Sequence, residues 1–257
     1  MAVNTRLGVM VAAGIAVLGS AALFAAGRAG SGVSASAAQP AGDREGFELR
    51  RSPGSVDLDS AYDMSDLKIP KGEIHTLLPK DAIPALTDPK RQPASEADWL
   101  DGESRVVVAE AGGEVLGVPL RVLNWHEVVN TTLGGEPIAV SYCPLCDSAT
   151  VFSREVPASG DGGTEVLEFG VSGALYNSNV LMYDRNHAGL WSQLGMKAVS
   201  GPMAGTALEM MPVRVMSLDA FKDEHAGAEV VNNETGYRRN YTISPYRGYF
   251  GSDSLMV

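Results

Sequence analysis

PIAVSYCPLCDSATVFSR, Pro137 to Arg154, holds both cysteines of the chain, and its reading decides the fold. Pro137–Tyr142 forms one β-like run and Thr150–Phe152 a second, because β-branched and aromatic side chains sit well on a pleated surface. Between them lies Cys143-Pro-Leu-Cys146. Proline is at home in the first turn of a helix, where its missing N–H has no partner to lose, so Cys143 is expected at a helix N-cap with Cys146 one turn inside. Unpaired N–H groups and the positive end of the helix dipole would then favour thiolate over thiol.

Working outward, further β-like runs cover Arg105–Glu110, Glu114–Val118, Glu165–Phe169, Val180–Tyr183 and Pro212–Val215, several of them separated by glycine-bearing turns such as AGGE and SGDGGTE. One amphipathic helix is expected in LRVLNWHEVVN (120–130) and a capped one in SLDAFKDEHAG, beginning at Ser217. From Lys68 to Leu100 prolines at 70, 79, 84, 89 and 93 exclude long helices, and the apolar residues among them suggest an ordered strap over a core. The expected class is α+β, mainly antiparallel β-sheet with a few short helices. The strand, Cys-Pro-x-Cys, helix order is similar to that of thioredoxins, but the glycine-rich loop after Arg154 arrives before a long helix can be completed, which disfavours that fold.

Residues 1–38 carry a chargeless run, Leu7–Gly27, behind Arg6, which reads as a signal peptide or an N-terminal membrane anchor. Residues 39–55 read as a flexible linker, and 56–257 as a single globular domain. The expected location is exported: periplasmic, extracellular, or anchored to the outer face of the cytoplasmic membrane if the segment stays uncleaved. The formal charge is −11, and −13 without residues 1–38. Such a surface repels phosphate backbones, so nucleic acid is excluded as a partner.

Three chemistries compete for the cysteines. The first is a thiol/disulfide redox centre at Cys143 and Cys146, with a small molecule or protein as redox partner and His126 as the helping base. The second is a thiolate site for copper or zinc using Cys143, Cys146 and His126; Cys-x-x-Cys is half of a tetrahedral site, but the chain has no third cysteine and only four histidines. The third is a passive disulfide in a binding or scaffold domain, and a bridge closing so short a loop adds little stability. No cofactor follows from the residues.

The stretches DAIPALTDPK (81–90), LNWHEVVN (123–130), PIAVSYCPLCDSATVFSR (137–154), FGVSGALYNSNVLMYDR (169–185), LWSQ (190–193) and TGYRRNY (235–241) resemble, in order, those of the family catalogued as domain of unknown function 3179. The resemblance implies chalcogen chemistry at the cysteine pair, since some relatives carry selenocysteine. Within the matched blocks, Tyr176, Asn177, Asp184, Arg185 and Trp191 combine aromatic walls with polar groups, the composition of a small-molecule pocket, and are the expected substrate-binding residues.

Overall fold

The computed structural model describes residues 56–158 and 162–251, all within one compact unit. The signal or anchor expected at 1–38 and the linker expected at 39–55 lie outside the described residues. Among the described residues no helix is long and apolar enough to cross a membrane.

The strand Glu136–Cys143 is the centre of the architecture. It pairs antiparallel with Val128–Leu133 on one side and Ser148–Ser153 on the other, and Leu86–Thr87 adds a short parallel edge to this four-stranded sheet. Successive side chains of a strand point to opposite faces. Here Ile138, Val140 and Tyr142 enter one hydrophobic cluster, while Ala139 and Cys143 enter clusters on the other face. Both faces are therefore covered, and six consecutive residues, Ile138–Cys143, are buried.

The first face packs on a five-stranded sheet ordered Val213–Ser217, Arg105–Ala111, Glu114–Pro119, Glu229–Val231, Arg91–Pro93, through Val107, Leu116 and Val118. The second packs on another five-stranded sheet, ordered Ile74–Thr76, Phe169–Tyr176, Asn179–Asp184, Leu190–Ser192, Lys197–Ala198, through Phe169, Met182 and Trp191. The fold is mainly antiparallel β with short helices. The proline-rich strap contributes one edge strand to each of the three sheets, at Ile74–Thr76, Leu86–Thr87 and Arg91–Pro93, which is where residues lacking backbone donors are tolerated.

Three local expectations are corrected. Cys143 does not cap a helix: Pro144–Asp147 form a four-residue hairpin turn, and Ser148 pairs straight back with Cys143. The helix expected over 120–130 stops at His126, because Glu127 adopts a left-handed conformation (φ 56°) and the β-branched Val128 and Val129 begin a strand. The run Glu165–Phe169 is broken, Thr164–Val166 belonging to a two-stranded ribbon and Phe169 opening a strand of the large sheet. The helix Leu218–Glu224 forms as expected, with the Ser217 side chain accepting from the Ala220 N–H.

Two devices hold the sheets in register. Arg154 is buried and donates to three carbonyls, those of Ile138, Leu167 and Thr131, at 2.9–3.2 Å. Gly173 forms a bulge at φ 73°, where the pairing of Phe169–Tyr176 shifts by two residues; its carbonyl accepts from both Leu77 and Leu78 of the strap.

Candidate active site around the cysteine pair

The Cys146 N–H donates to the Cys143 carbonyl at 3.4 Å, so Cys143–Cys146 is a β-turn with Pro144 at its second position. Such a turn keeps its end Cα atoms within about 7 Å, a span that overlaps the range a disulfide bridges. Asp147 follows at φ 48°, a left-handed conformation that Asp tolerates, and its carboxylate accepts from the Tyr142 hydroxyl at 2.8 Å and from Arg105 at 3.0 Å. The Arg105 pair is about half exposed and adds under about 1 kcal/mol. The Tyr142 bond and the ladder therefore hold the turn.

The two sulfurs differ in environment. Cys143 is buried beneath Leu175, Val180, Leu77 and Leu145, whereas Cys146 is exposed. The Cys146 Sγ lies 3.0 Å from Ser148 Oγ and 3.2 Å from the Asn179 side-chain amide nitrogen. Asn179 also donates to Gln193 Oε1 at 2.6 Å, and Ser148 approaches the same oxygen at 3.0 Å. The Gln193 amide nitrogen reaches Ser141 Oγ and the Ser148 carbonyl, which uses both its hydrogens and fixes the orientation of the amide. Ser148 has one hydroxyl hydrogen for two acceptors. With Cys146 as a thiol it can serve Gln193; with Cys146 as a thiolate it can turn to the sulfur.

The ionisation of the pair follows from these contacts. A hydrogen bond from the Cys143 thiol lowers the Cys146 pKa to about 5, aided by Ser148 and Asn179 against the opposing effect of partial burial. The same hydrogen bond, together with burial, pushes Cys143 far up. Both shifts act in one sense, favouring thiolate at the exposed sulfur and thiol at the buried one. The expected lowering of a thiol pKa is thus present with a different cause: no helix dipole acts, and side-chain donors from three sheet strands take its place.

His126 does not reach the thiols. It ends the helix Leu120–His126 fully buried, with Nδ1 2.7 Å from the Pro84 carbonyl and Nε2 2.8 Å from the Tyr241 hydroxyl. A carbonyl only accepts, so Nδ1 carries the hydrogen and Nε2 accepts from Tyr241. Burial lowers its pKa to about 4, with a smaller contribution from the charge of Arg239. Both nitrogens are thus taken up by hydrogen bonds to the scaffold in this structure. Among the described residues no group of three or more His, Cys, Asp or Glu side chains could hold a metal ion.

Glu127, the next residue, is what the fold brings toward the pair. It is buried, the Tyr246 hydroxyl donates to it at 2.5 Å, and burial raises its pKa to about 7, opposed by that hydrogen bond and assisted by the negative Cys146.

The expected substrate-binding residues lie elsewhere or serve the scaffold. Trp191 is fully buried and its indole N–H donates to Asp184 at 2.7 Å; Asp184 also accepts from the His187 N–H, so the two close a loop inside the core. Arg185 pairs with Asp81 and Glu168. Asn177 occupies a left-handed turn position at φ 51°, and Tyr176 packs against the Leu58–Tyr62 cluster. None of the five is within hydrogen-bond reach of either cysteine sulfur. Their neighbour Asn179 is the residue of this stretch that reaches Cys146, and Gln193 orients it by accepting from its amide.

No curated protein and no solved structure matches the chain. A family model described as "Protein of unknown function (DUF3179)" matches residues 80–257, which contain the whole Cys146 hydrogen-bond network together with Glu127, and the chain belongs to that family.

Proposed function

We propose that the chain is a thiol/disulfide redox protein in which Cys146 is the attacking sulfur and Cys143 the resolving one. The carrying observation is the contrast between the two: an exposed sulfur held by Ser148 and Asn179 at 3.0 and 3.2 Å, one β-turn away from a buried thiol. The thiolate, and not the thiol, is the nucleophile in exchange, and an exposed thiolate of lowered pKa is the usual site of attack.

In the first step the Cys146 thiolate attacks one sulfur of a partner disulfide, forming a mixed disulfide and releasing the other sulfur as a thiolate. In the second, Cys143 loses its proton and attacks Cys146 Sγ, forming the Cys143–Cys146 bond and releasing the partner's remaining sulfur. The partner disulfide gains two electrons and the pair loses two. A dithiol donor resets the pair by the reverse sequence. The apolar run at 7–27 supports an exported or membrane-tethered setting, where disulfides persist. A thiolate metal site has less support, because His126 is committed to Pro84 and Tyr241.

The test is equilibration of the purified chain across a series of reduced and oxidised glutathione mixtures, followed by acid quench, alkylation and mass measurement. The expected result is interconversion of dithiol and internal disulfide, with Cys143→Ser trapping a glutathione adduct on Cys146 and Cys146→Ser leaving Cys143 slow to react. A pair that stays reduced, with no adduct in Cys143→Ser, overturns the reading.

A further inference from the structure

Glu127 holds a backbone conformation that residues other than glycine seldom adopt, φ 56° and ψ −28°. Its N–H closes the helix on the Leu123 carbonyl, and its own carbonyl accepts from the Tyr142 N–H at 2.8 Å, so it stands opposite Tyr142 at the end of the ladder. Tyr142 faces the cluster between the central sheet and the Arg105–Ala111 sheet. Glu127 instead lines a cavity on the opposite face, beside Val171, Leu175 and Val180. The left-handed residue thus turns a carboxyl out of the strand alternation and onto the Cys143 side.

The cavity is small, about 30 Å³, room for two waters at most and too little for a substrate. Leu145, Leu175, Val180 and Leu77 wall it, and the same four side chains cover Cys143. One carboxyl oxygen of Glu127 accepts from Tyr246; the other accepts no hydrogen bond among the described residues. The groups with charge or a titratable proton that face Glu127 are Tyr246, the Cys143 and Cys146 sulfurs, and Tyr142 at its backbone. The ring of His126 is turned away to Pro84 and Tyr241, and the strands Phe169–Tyr176 and Asn179–Asp184 present only apolar residues to the cavity. Glu127 thus brings a carboxyl into a space whose other walls are mostly apolar.

We propose that Glu127 is the proton acceptor for the second step of exchange, taking the proton from Cys143 as that sulfur attacks the Cys146 mixed disulfide and returning it in the reverse direction, by way of the water-sized cavity that the covering residues of Cys143 also line. The inference rests on the redox reading of the pair. It answers a difficulty in that reading: Cys143 is a thiol buried among apolar side chains, and it attacks only once something removes its proton. In the forward direction the S–H bond of Cys143 breaks as the proton passes to the Glu127 carboxylate, and the Cys143–Cys146 bond forms as the bond from Cys146 to the partner sulfur breaks. The partner leaves as a thiolate and takes its proton from solvent.

The experiment is rapid mixing of the reduced full chain with excess 4,4′-dithiodipyridine, a neutral disulfide whose released thiopyridone absorbs light. The first equivalent reports attack by Cys146, the second closure by Cys143. In the wild type the second phase is expected to rise with pH through an inflection near 7, where burial places Glu127. Glu127→Gln keeps an acceptor for Tyr246 but no base, and is expected to slow the second phase relative to the first by on the order of a hundredfold and to remove the inflection. Tyr246→Phe deletes a hydrogen bond that holds the Glu127 pKa down, so the inflection is expected to move up. An unchanged second phase and pH profile in Glu127→Gln overturns the role of Glu127 while leaving the redox reading standing. Release of a single equivalent by the wild type overturns both.

Discussion

The side-chain amide of Asn179 lies 3.2 Å from the Cys146 sulfur, donated from the first residue of a strand in a different sheet. This bond, with those from Ser148 and Cys143, is what an exposed thiol needs to ionise near pH 5. A hydrogen bond to a charged group contributes about 1.5–3 kcal/mol, and one pKa unit is about 1.4 kcal/mol. Asn179→Ala is therefore expected to raise the Cys146 pKa by about one unit, read from the pH dependence of alkylation by iodoacetamide. An unmoved inflection would show that Asn179 does not stabilise the thiolate.

His126 and Glu127 are neighbours that titrate in opposite senses. Folded His126 ionises near 4 against 6.5 when unexposed to the fold, so its contribution to stability is fully present above pH 6.5 and is lost as pH falls toward 4. Folded Glu127 ionises near 7 against 4.5, so its contribution is fully present below pH 4.5 and is lost as pH rises toward 7. Each effect is on the order of 3 kcal/mol. In urea unfolding, Glu127→Gln is expected to gain stability relative to the wild type as pH rises from 4.5 to 7; a constant difference across that window would refute the burial of a proton on Glu127.

Arg154 donates to carbonyls from Val128–Leu133, from Glu136–Cys143 and from the connection before Phe169. A lysine keeps the charge but lacks the planar fork that serves all three. Arg154→Lys is expected to destabilise the chain by about 3 kcal/mol in denaturant unfolding, while the alkylation rate of Cys146 in the folded protein stays unchanged. A loss below about 0.5 kcal/mol would mean that the carbonyls find other donors.

At Gly173 a Cβ would sit 2.3 Å from the Leu78 carbonyl oxygen, on a backbone at φ 73°. Gly173→Ala is expected to cost about 2–4 kcal/mol and to speed hydrogen exchange at the Leu77 and Leu78 amides, which both donate to the Gly173 carbonyl. Unchanged exchange at those two amides would show that the strap is held by other contacts.

The β class is legible in the sequence because most strands here are short β-branched runs cut by glycine turns, and Arg105–Ala111, Glu114–Pro119 and Asn179–Asp184 form within a residue or two of the expected bounds. The conformation of Cys143–Cys146 is not legible locally. Pro144 suits a helix N-terminus and the second position of a β-turn equally, and the choice is made by Ser148–Ser153 folding back on Glu136–Cys143. The site divides in the same way. Both sulfurs stand out as a sequence motif, whereas Asn179 and Gln193 come from 33 and 47 positions beyond Cys146, out of a stretch whose bulkier members, Asp184 and Trp191, satisfy each other. Glu127 sits beside the more conspicuous His126, and only the left-handed kink, invisible in composition, decides which of the two side chains turns toward the cysteines.

The hydroxyl groups of Tyr246 and Tyr249 reach Glu127 and the Leu145 carbonyl across 119 and 104 residues of chain. A ribosome therefore delivers the two sulfurs well before the tyrosines that finish their surroundings. During that interval the nascent hairpin has Glu127 upstream of it but not the hydroxyl that holds that carboxyl, nor the one that reaches the Leu145 carbonyl. The contrast between the two sulfurs needs only the chain up to Val180, whereas the setting of Glu127 waits for the last strands and turns of the polypeptide.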